Sequence, residues 1–386
     1  MQDWQLADDQ VQCVESASRF PLRTLFNLKQ ELLAQPGHQR LQMMVHSNGA
    51  SPKMSGFAGY IFGAGGKDVD YRLSAQVHHR PAEDGGLLAV TSLNGDVAIY
   101  SNSASNVTTG RWSIGGPLKE GELQLLASAT NKVDDTNREK IKLQLDVIIE
   151  QGKAAVELSS YDANSGQLLA ECMLKDMIPL EVDGLHGLVS HLGNENGGYS
   201  FSSIENKGEL IVEHPQRKFG PVVGVQYTQT ENRVRLNAQL VPLENYSNLI
   251  AELQIKHNNK WQVVSSTTVK EPSWNALFFF NRDISQAAPF RIKLHADEFA
   301  DYFYAGNFAG EPKGEFSLAS LNCLKHYVGN LKWNSNSIWF PHQELVDNLQ
   351  QQNLDMLFFA GDQLYEGDID PVDARNLQKL SYDYLY

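Results

Sequence analysis

The sequence predicts a mostly β protein: two successive β sandwiches, then the strand–helix–strand start of an α/β domain. Three observations carry this expectation. Short apolar–polar alternations separated by glycine-rich turns fill the chain to about residue 210. A second alternating stretch, interrupted by prolines, runs to about residue 310. Beyond it the period changes, and a helix-like stretch lies between two apolar runs. A chain of 386 residues also exceeds the roughly 250–300 at which single cores stop growing, so more than one domain is expected.

Residues 1–212 read as one large sandwich. Trp4 and Leu6 already have strand character, and the turn signals follow at Gly85-Gly86, Asn94-Gly95, Gly115-Gly116-Pro117, Asn164-Ser165-Gly166 and Gly197-Gly198. Ile141, Leu143, Leu145 and Val147 alternate with polar residues, the period of a strand with one buried face. Gly63-Ala64-Gly65-Gly66 has no helix after it, so it reads as a turn rather than a phosphate-binding loop. The spacing of Gly56–Phe62, Asp70-Tyr71-Arg72 and the run to Asn94-Gly95 is similar to concanavalin-like jelly rolls.

Residues 218–310 read as a smaller sandwich. Val234, Leu236, Ala238 and Leu240 alternate, as do Phe290, Ile292 and Leu294, while Trp261, Trp274 and Phe278 to Phe280 offer core bulk. The length suits seven strands of immunoglobulin or fibronectin type. Glu311-Pro312-Lys313-Gly314 reads as a linker, and 315–386 as the last unit. There Phe316–Leu321 is expected as a strand and Leu354–Ala360 as a second strand parallel to it, with an apolar face left exposed. Pro341 can open the helix between them, because the first turn has no use for the missing donor. Leu345, Val346 and Leu349 give that helix its apolar stripe, and Asn353 stops it.

A net charge of −14 argues against nucleic acid or an anionic membrane as the main partner. No apolar run approaches the roughly 18 residues of a transmembrane helix. Three cysteines are too few for a disulfide framework. Cys13 and Cys172 lie in strand-like stretches, either as buried hydrophobes or as a bridge. The adjacent His78 and His79 point to opposite faces of a strand and make a poor chelating pair.

The chemistry concentrates near the end, in Phe358-Phe359-Ala360-Gly361-Asp362-Gln363-Leu364-Tyr365-Glu366. An apolar strand stops at a glycine and a carboxylate follows at once. In open α/β sheets the ligand crevice lies beyond the carboxyl ends of the strands. Cys323 follows the first strand of the unit as Asp362 follows the second, so a parallel pair would bring both to one edge. Together with Tyr365 they form an anionic donor set suited to transition-metal ions.

Leu321-Asn322-Cys323 and Gly361-Asp362-Gln363-Leu364-Tyr365-Glu366 resemble the first two blocks of the PhoD-like alkaline phosphatases, a branch of the calcineurin-like metallophosphoesterases. Ile338-Trp339-Phe340-Pro341-His342 adds to that likeness, which covers about residues 315–386. Asp-x-His and Gly-Asn-His, usual elsewhere in the superfamily, do not occur in the sequence. The resemblance implies metal ligation by Asp362, Tyr365 and Cys323, Fe3+ and Ca2+ as the ions, and hydrolysis of phosphate esters by metal-activated hydroxide. It implies a secreted or periplasmic setting and no amino-acid nucleophile; Glu366 would hold an outer hydrogen bond, His326 reads as a surface histidine with a ligand or outer-partner role as its alternative, and His342 reads as structural. The family's later Asp and His ligands have no counterpart here, so the expectation is of an enzyme piece that is inactive alone. The alternative expectation is a glycan- or surface-binding β protein, with Trp112, Tyr161 or Tyr199 against sugar and a degenerate phosphatase-like segment.

Overall fold

The computed structural model describes residues 4–14, 22–48, 56–65, 71, 86–101, 123–133, 138–191, 198–217, 220–241, 243, 248–271, 273–297, 299–312, 314–322, 342–352 and 354–361. Fourteen strands come first: β1 (Trp4–Ala7), β2 (Gln10–Cys13), β3 (Leu22–Leu32), β4 (Gly37–Asn48), β5 (Phe57–Gly65), β6 (Leu87–Thr91) and β7 (Val97–Ser101). Then follow β8 (Gln124–Ala129), β9 (Lys140–Glu150), β10 (Lys153–Asp162), β11 (Leu168–Met177), β12 (Gly184–His191), β13 (Gly198–Gly208) and β14 (Ile211–Glu213). They form two seven-stranded sheets, in the orders β1-β2-β13-β4-β9-β10-β11 and β14-β3-β12-β5-β6-β7-β8. Every pairing within the two sheets is antiparallel.

One core joins the two sheets. Leu41, Met43, Leu145 and Val156 from the first meet Leu32, Tyr60, Phe62 and Leu188 from the second. The predicted alternation of Ile141, Leu143, Leu145 and Val147 is present, and all four are buried. Gly63-Ala64-Gly65 is not a turn, as expected, but the end of β5. Gly63 has φ +67°, and a Cβ there would lie 2.5 Å from the carbonyl oxygen of Glu181. Gly63 serves a close approach of the helical turn Pro179–Val182 to the strand, and composition alone cannot separate that from a turn. Cys13 and Cys172 are both buried and no disulfide joins them, so the bridge left open by the sequence is not formed.

Seven further strands build a second core: β15 (Val222–Thr230), β16 (Arg233–Leu240), β17 (Ile250–His257), β18 (Lys260–Thr268), β19 (Asn275–Asn281), β20 (Ala288–Ala296) and β21 (Phe299–Phe308). They lie in a three-stranded sheet, β15-β16-β19, and a four-stranded one, β18-β17-β20-β21. Leu236, Ala276 and Phe278 of the first sheet share a cluster with Leu253, Ile292 and Leu294 of the second. Trp274 and Phe278 are core residues, but Phe279 is 62% exposed and Trp261 only half-buried. Strand alternation turns Phe279 outward, where the Arg235 guanidinium lies 5.7 Å from its ring centroid. Trp261 is held on the surface by the Arg291 guanidinium, 4.5 Å from its ring centroid.

The last unit is short. Strands β22 (Leu318–Asn322) and β23 (Met356–Gly361) flank helix α1 (His342–Gln351) in sequence and pair in parallel. Pro341 and Asn353, expected to open and stop the helix, lie outside the described residues. Both strands sit one or two residues later than the apolar runs suggest. Their amino ends are pinned where Ser317 donates its backbone N–H and its hydroxyl to Asp355 Oδ2, at 2.9 and 3.1 Å. Every residue of β23 is exposed, Phe358 at 55%, so the apolar exposure expected of one face extends to both.

The two sandwich cores share no residue. Leu145→Ala and Phe278→Ala should therefore shift different unfolding transitions, each by about 2–5 kcal/mol. Urea denaturation of each variant measures this, and one common shift for both would contradict it.

Candidate functional site

Two places in the described chain gather chemistry. The first is the carboxyl edge of the β22–β23 pair. Asn322 and Gly361 are register partners at its end, past an irregularity after Leu321. Cys323 and Asp362 are the next residues in the chain, one past the end of each strand. Cys323, Asp362 and Tyr365 themselves lie outside the described residues, as do Glu366, His326, His78, His79 and Trp112. Gly361 has φ +143°, a conformation L side chains rarely adopt, which is why a glycine ends β23. Among the described residues no three His, Cys, Asp or Glu side chains gather as a metal centre.

The second place was not legible in the sequence. Along β4 the residues Leu41, Met43 and Val45 enter the core, so His38, Arg40 and Gln42 face outward. The β4–β9 register sets Arg40 opposite Asp146 and Gln42 opposite Gln144. Arg40 Nε donates to Asp146 Oδ1 at 2.8 Å, and His38 Nε2 lies 2.6 Å from the same oxygen. Gln144 donates to Asp146 Oδ2 at 2.7 Å and accepts from Gln42 at 2.5 Å. On the neighbouring strand Ser159 donates to Glu171 at 3.3 Å. The Tyr161 ring lies 5.8 Å from the Lys142 ammonium.

Asp146 is the hub of this face. Its side chain is 7% exposed, whereas Arg40 is 43% exposed. Burial opposes its ionisation, but hydrogen bonds from Arg40, His38 and Gln144 outweigh that and hold the carboxyl below its usual range. The same bond raises the Arg40 pKa. The result is a fixed carboxylate with a guanidinium, an imidazole and two amides around it, open to solvent on the Arg40 side. Such a set can bind hydroxyl and carboxylate groups through paired donors and acceptors. Tyr199, a sequence candidate for sugar contact, is instead 1% exposed in the core; it alternates inward with Phe201. Tyr161 is half-buried at the edge of the polar face. The signal that was available is the run His38-x-Arg40-x-Gln42 beside Gln144-x-Asp146, but the pairing that joins the two runs is not written in either.

No family model matches the sequence, and no curated protein matches it. Among solved structures the chain is similar to arcelin-5, a lectin-like defence protein from Phaseolus vulgaris, at 10% identity and TM-score 0.33, over 54% of this chain and 90% of that one. It is similar to the exoplasmic/lumenal domain of VIP36 in a Ca2+/Man3GlcNAc-bound form, at 13% identity and TM-score 0.32, over 55% and 84%. A third is the PL-14 alginate lyase from Aplysia kurodai, at 14% identity and TM-score 0.26, over 46% and 69%. At this level of likeness nothing about ligands or activity passes from them to this chain.

Removing the hub should show in acid as well as at neutrality. A carboxyl whose folded pKa is depressed contributes stability above its unfolded value, 3.8, and loses it as pH falls through the folded one. Asp146→Asn is expected to cost about 1–2 kcal/mol at pH 7, since solvent screens the exposed Arg40 and His38. Its stability should change less than wild type as pH drops below about 4. Denaturant titrations at pH 7 and pH 3 measure both effects; an equal deficit at the two pH values would contradict the assignment.

Proposed function

We propose that the C-terminal strand–helix–strand unit begins the catalytic domain of a metal-dependent phosphoric ester hydrolase of the PhoD-like type, preceded by concanavalin-like and fibronectin-like sandwiches. One observation supports this most: β22 and β23 run parallel and end side by side at Asn322 and Gly361. Cys323 and Asp362 therefore leave neighbouring strands at the same edge. Neighbouring strands are about 4.8 Å apart and one Cα step is about 3.8 Å, which keeps the two within reach of a shared ion cluster. The seven-plus-seven and three-plus-four strand arrangements support the two sandwich assignments.

The donor set fits an Fe3+/Ca2+ cluster: a carboxylate able to bridge, a phenolate and a thiolate, all anionic oxygen or sulfur. Bound ions would supply charge to offset the phosphoryl oxygens and acidify a water for in-line attack. On the protein's side, Asp362 would hold the centre of the site, directly after the strand-ending Gly361. Tyr365 would give one oxygen from three residues on, and Cys323 would close the edge from β22. A secreted or periplasmic setting follows from the same resemblance.

Asp362→Asn keeps the shape and removes the charge. In the full-length protein it should leave the fold intact while bound metal falls and phosphodiester hydrolysis drops about a thousandfold or more. Tyr365→Phe should cost less. Metal analysis and a chromogenic phosphodiester assay decide it, and normal metal content with normal turnover in folded Asp362→Asn would refute the proposal.

A second reading, glycan binding by the first sandwich, is favoured by the polar face around Asp146. Arg40, His38 and the amides of Gln42 and Gln144 offer a row of donors on the outer surface of central strands. Arg40→Ala should weaken binding of an oligosaccharide at least about tenfold, one lost charge-assisted contact. Unaltered binding in that variant, measured by titration calorimetry, would remove the reading.

A further inference from the structure

Where the strand ladders of the first sandwich break, a cavity opens between the sheets. Its volume is about 340 Å3, and its walls include Leu25, Leu41, Leu188 and Ile204. That size lies at the lower end of small-molecule pockets, about 300–1,000 Å3. Three irregularities meet here. In β12, Leu185 pairs with Glu31 and Gly187 with Phe26, so Asn27–Gln30 of β3 arch out against the single residue His186. On its other side β12 slips against β5 at the same point. In the opposite sheet, Ser203 and Ile204 of β13 stand against Met43 alone, and Ser203 has φ 48°. Bulges of this kind re-aim side chains and gather near functional sites.

Two buried polar atoms in this cavity have no partner. Tyr60 is 2% exposed and His186 8% exposed; both line the space, and among the described residues neither Tyr60 Oη nor His186 Nε2 has a hydrogen-bond partner. Buried polar atoms are nearly always satisfied, so an orphaned pair sharing one cavity calls for a partner inside it. Around the mouth, Asn27 donates to Gln30 Oε1 at 2.7 Å, Asn206 donates to the same oxygen at 3.3 Å, and Gln30 in turn donates to Glu213.

We propose that this cavity is a binding site for a small uncharged polyhydroxylated ligand, a neutral sugar unit, held by Tyr60 and His186 at its base and by the Asn27, Gln30 and Asn206 amides at its mouth. The charge balance selects neutrality. Among the described residues no Lys or Arg lines the cavity, and the one carboxylate that does, Glu205, is paired with Lys207 at 2.7 Å. Burial pulls His186 down to about 4, so it is neutral at pH 7. A hydroxyl both donates and accepts, so it satisfies a phenol and either tautomer of a neutral imidazole, which a carboxylate or an ammonium does not. The apolar walls offer the surface that the C–H face of a sugar ring buries.

The test uses the full chain with D-glucose, D-mannose, D-galactose, maltose and cellobiose as probes, screened by ligand-observed NMR and quantified by calorimetry. At least one should bind, and glucose 6-phosphate should not compete. Tyr60→Phe removes only the orphaned hydroxyl. It should weaken that sugar at least tenfold while raising the melting temperature of the sugar-free protein. Ile204→Trp, at the exposed mouth, should abolish binding without unfolding the chain. Failure of every neutral sugar to bind overturns the proposal, as does a lower melting temperature in Tyr60→Phe, which would mean the hydroxyl already has a partner. Binding that survives Ile204→Trp but is lost in Arg40→Ala places the sugar on the outer polar face, overturning this site while leaving the glycan reading in place.

Discussion

The antiparallel register between β4 and β9 is the constraint on which the first sandwich depends. Leu41 faces Leu145 and Met43 faces Leu143, and these pairs form the floor of the shared core. The same register puts Arg40 opposite Asp146 on the other face. A slip of one residue would turn every one of these side chains over, burying a guanidinium and a carboxylate and exposing a row of leucines. Core and polar face are thus two readings of one alignment. The energy that fixes the alignment comes from the apolar side, and the polar side inherits its geometry.

Regular pairing accounts for stability, and the interruptions account for the places where a ligand can enter. Opposite His186 the chain spends four residues of β3 on an arch, and opposite Met43 it spends two residues of β13. Each excursion removes side chains that would otherwise fill the intersheet space. What remains is a cavity with a phenol and an imidazole at its base. The second sandwich shows the contrast. Its β17–β18 ladder also slips, next to Gln254. There Gln254 accepts from Arg291 at 2.7 Å, and the Arg291 guanidinium lies against the Trp261 and Phe303 rings. That irregularity is filled from within and leaves no orphaned group at Gln254.

Much of the β architecture was legible because alternation is a local signal. Ile141 to Val147, Val234 to Leu240 and Phe290 to Leu294 all lie with their apolar faces in a core, as their spacing requires. What escaped depends on contacts far apart in the chain. Gly63-Ala64-Gly65 reads as a turn until Glu181 is seen against it. Phe278 to Phe280 read as one apolar block until the strand divides them. Asp146 looks like one more surface acid until pairing across more than a hundred residues brings Arg40 and His38 to it. The C-terminal edge is the reverse case. A local motif marked Cys323, Asp362 and Tyr365, while the described strands supply only the ends from which two of them depart.

That edge also obeys a different physics from the sandwiches. In an antiparallel sheet one face can stay wet, and Arg40 and Gln42 stand on such a face. Parallel strands are ordinarily covered on both faces, and their sequences are apolar throughout. β23, Met-Leu-Phe-Phe-Ala-Gly, has that continuous apolar character and no polar alternation, yet it is exposed along its whole length. Two strands pinned at Ser317 and Asp355 set the register at their amino ends, but a metal site needs its ligands held to within about half an ångström. Precision of that order at the carboxyl ends requires packing against Phe358 and Phe359. β23 itself ends at Gly361, in a positive-φ conformation that glycine takes readily, and its exposed faces leave the strand without that packing among the described residues.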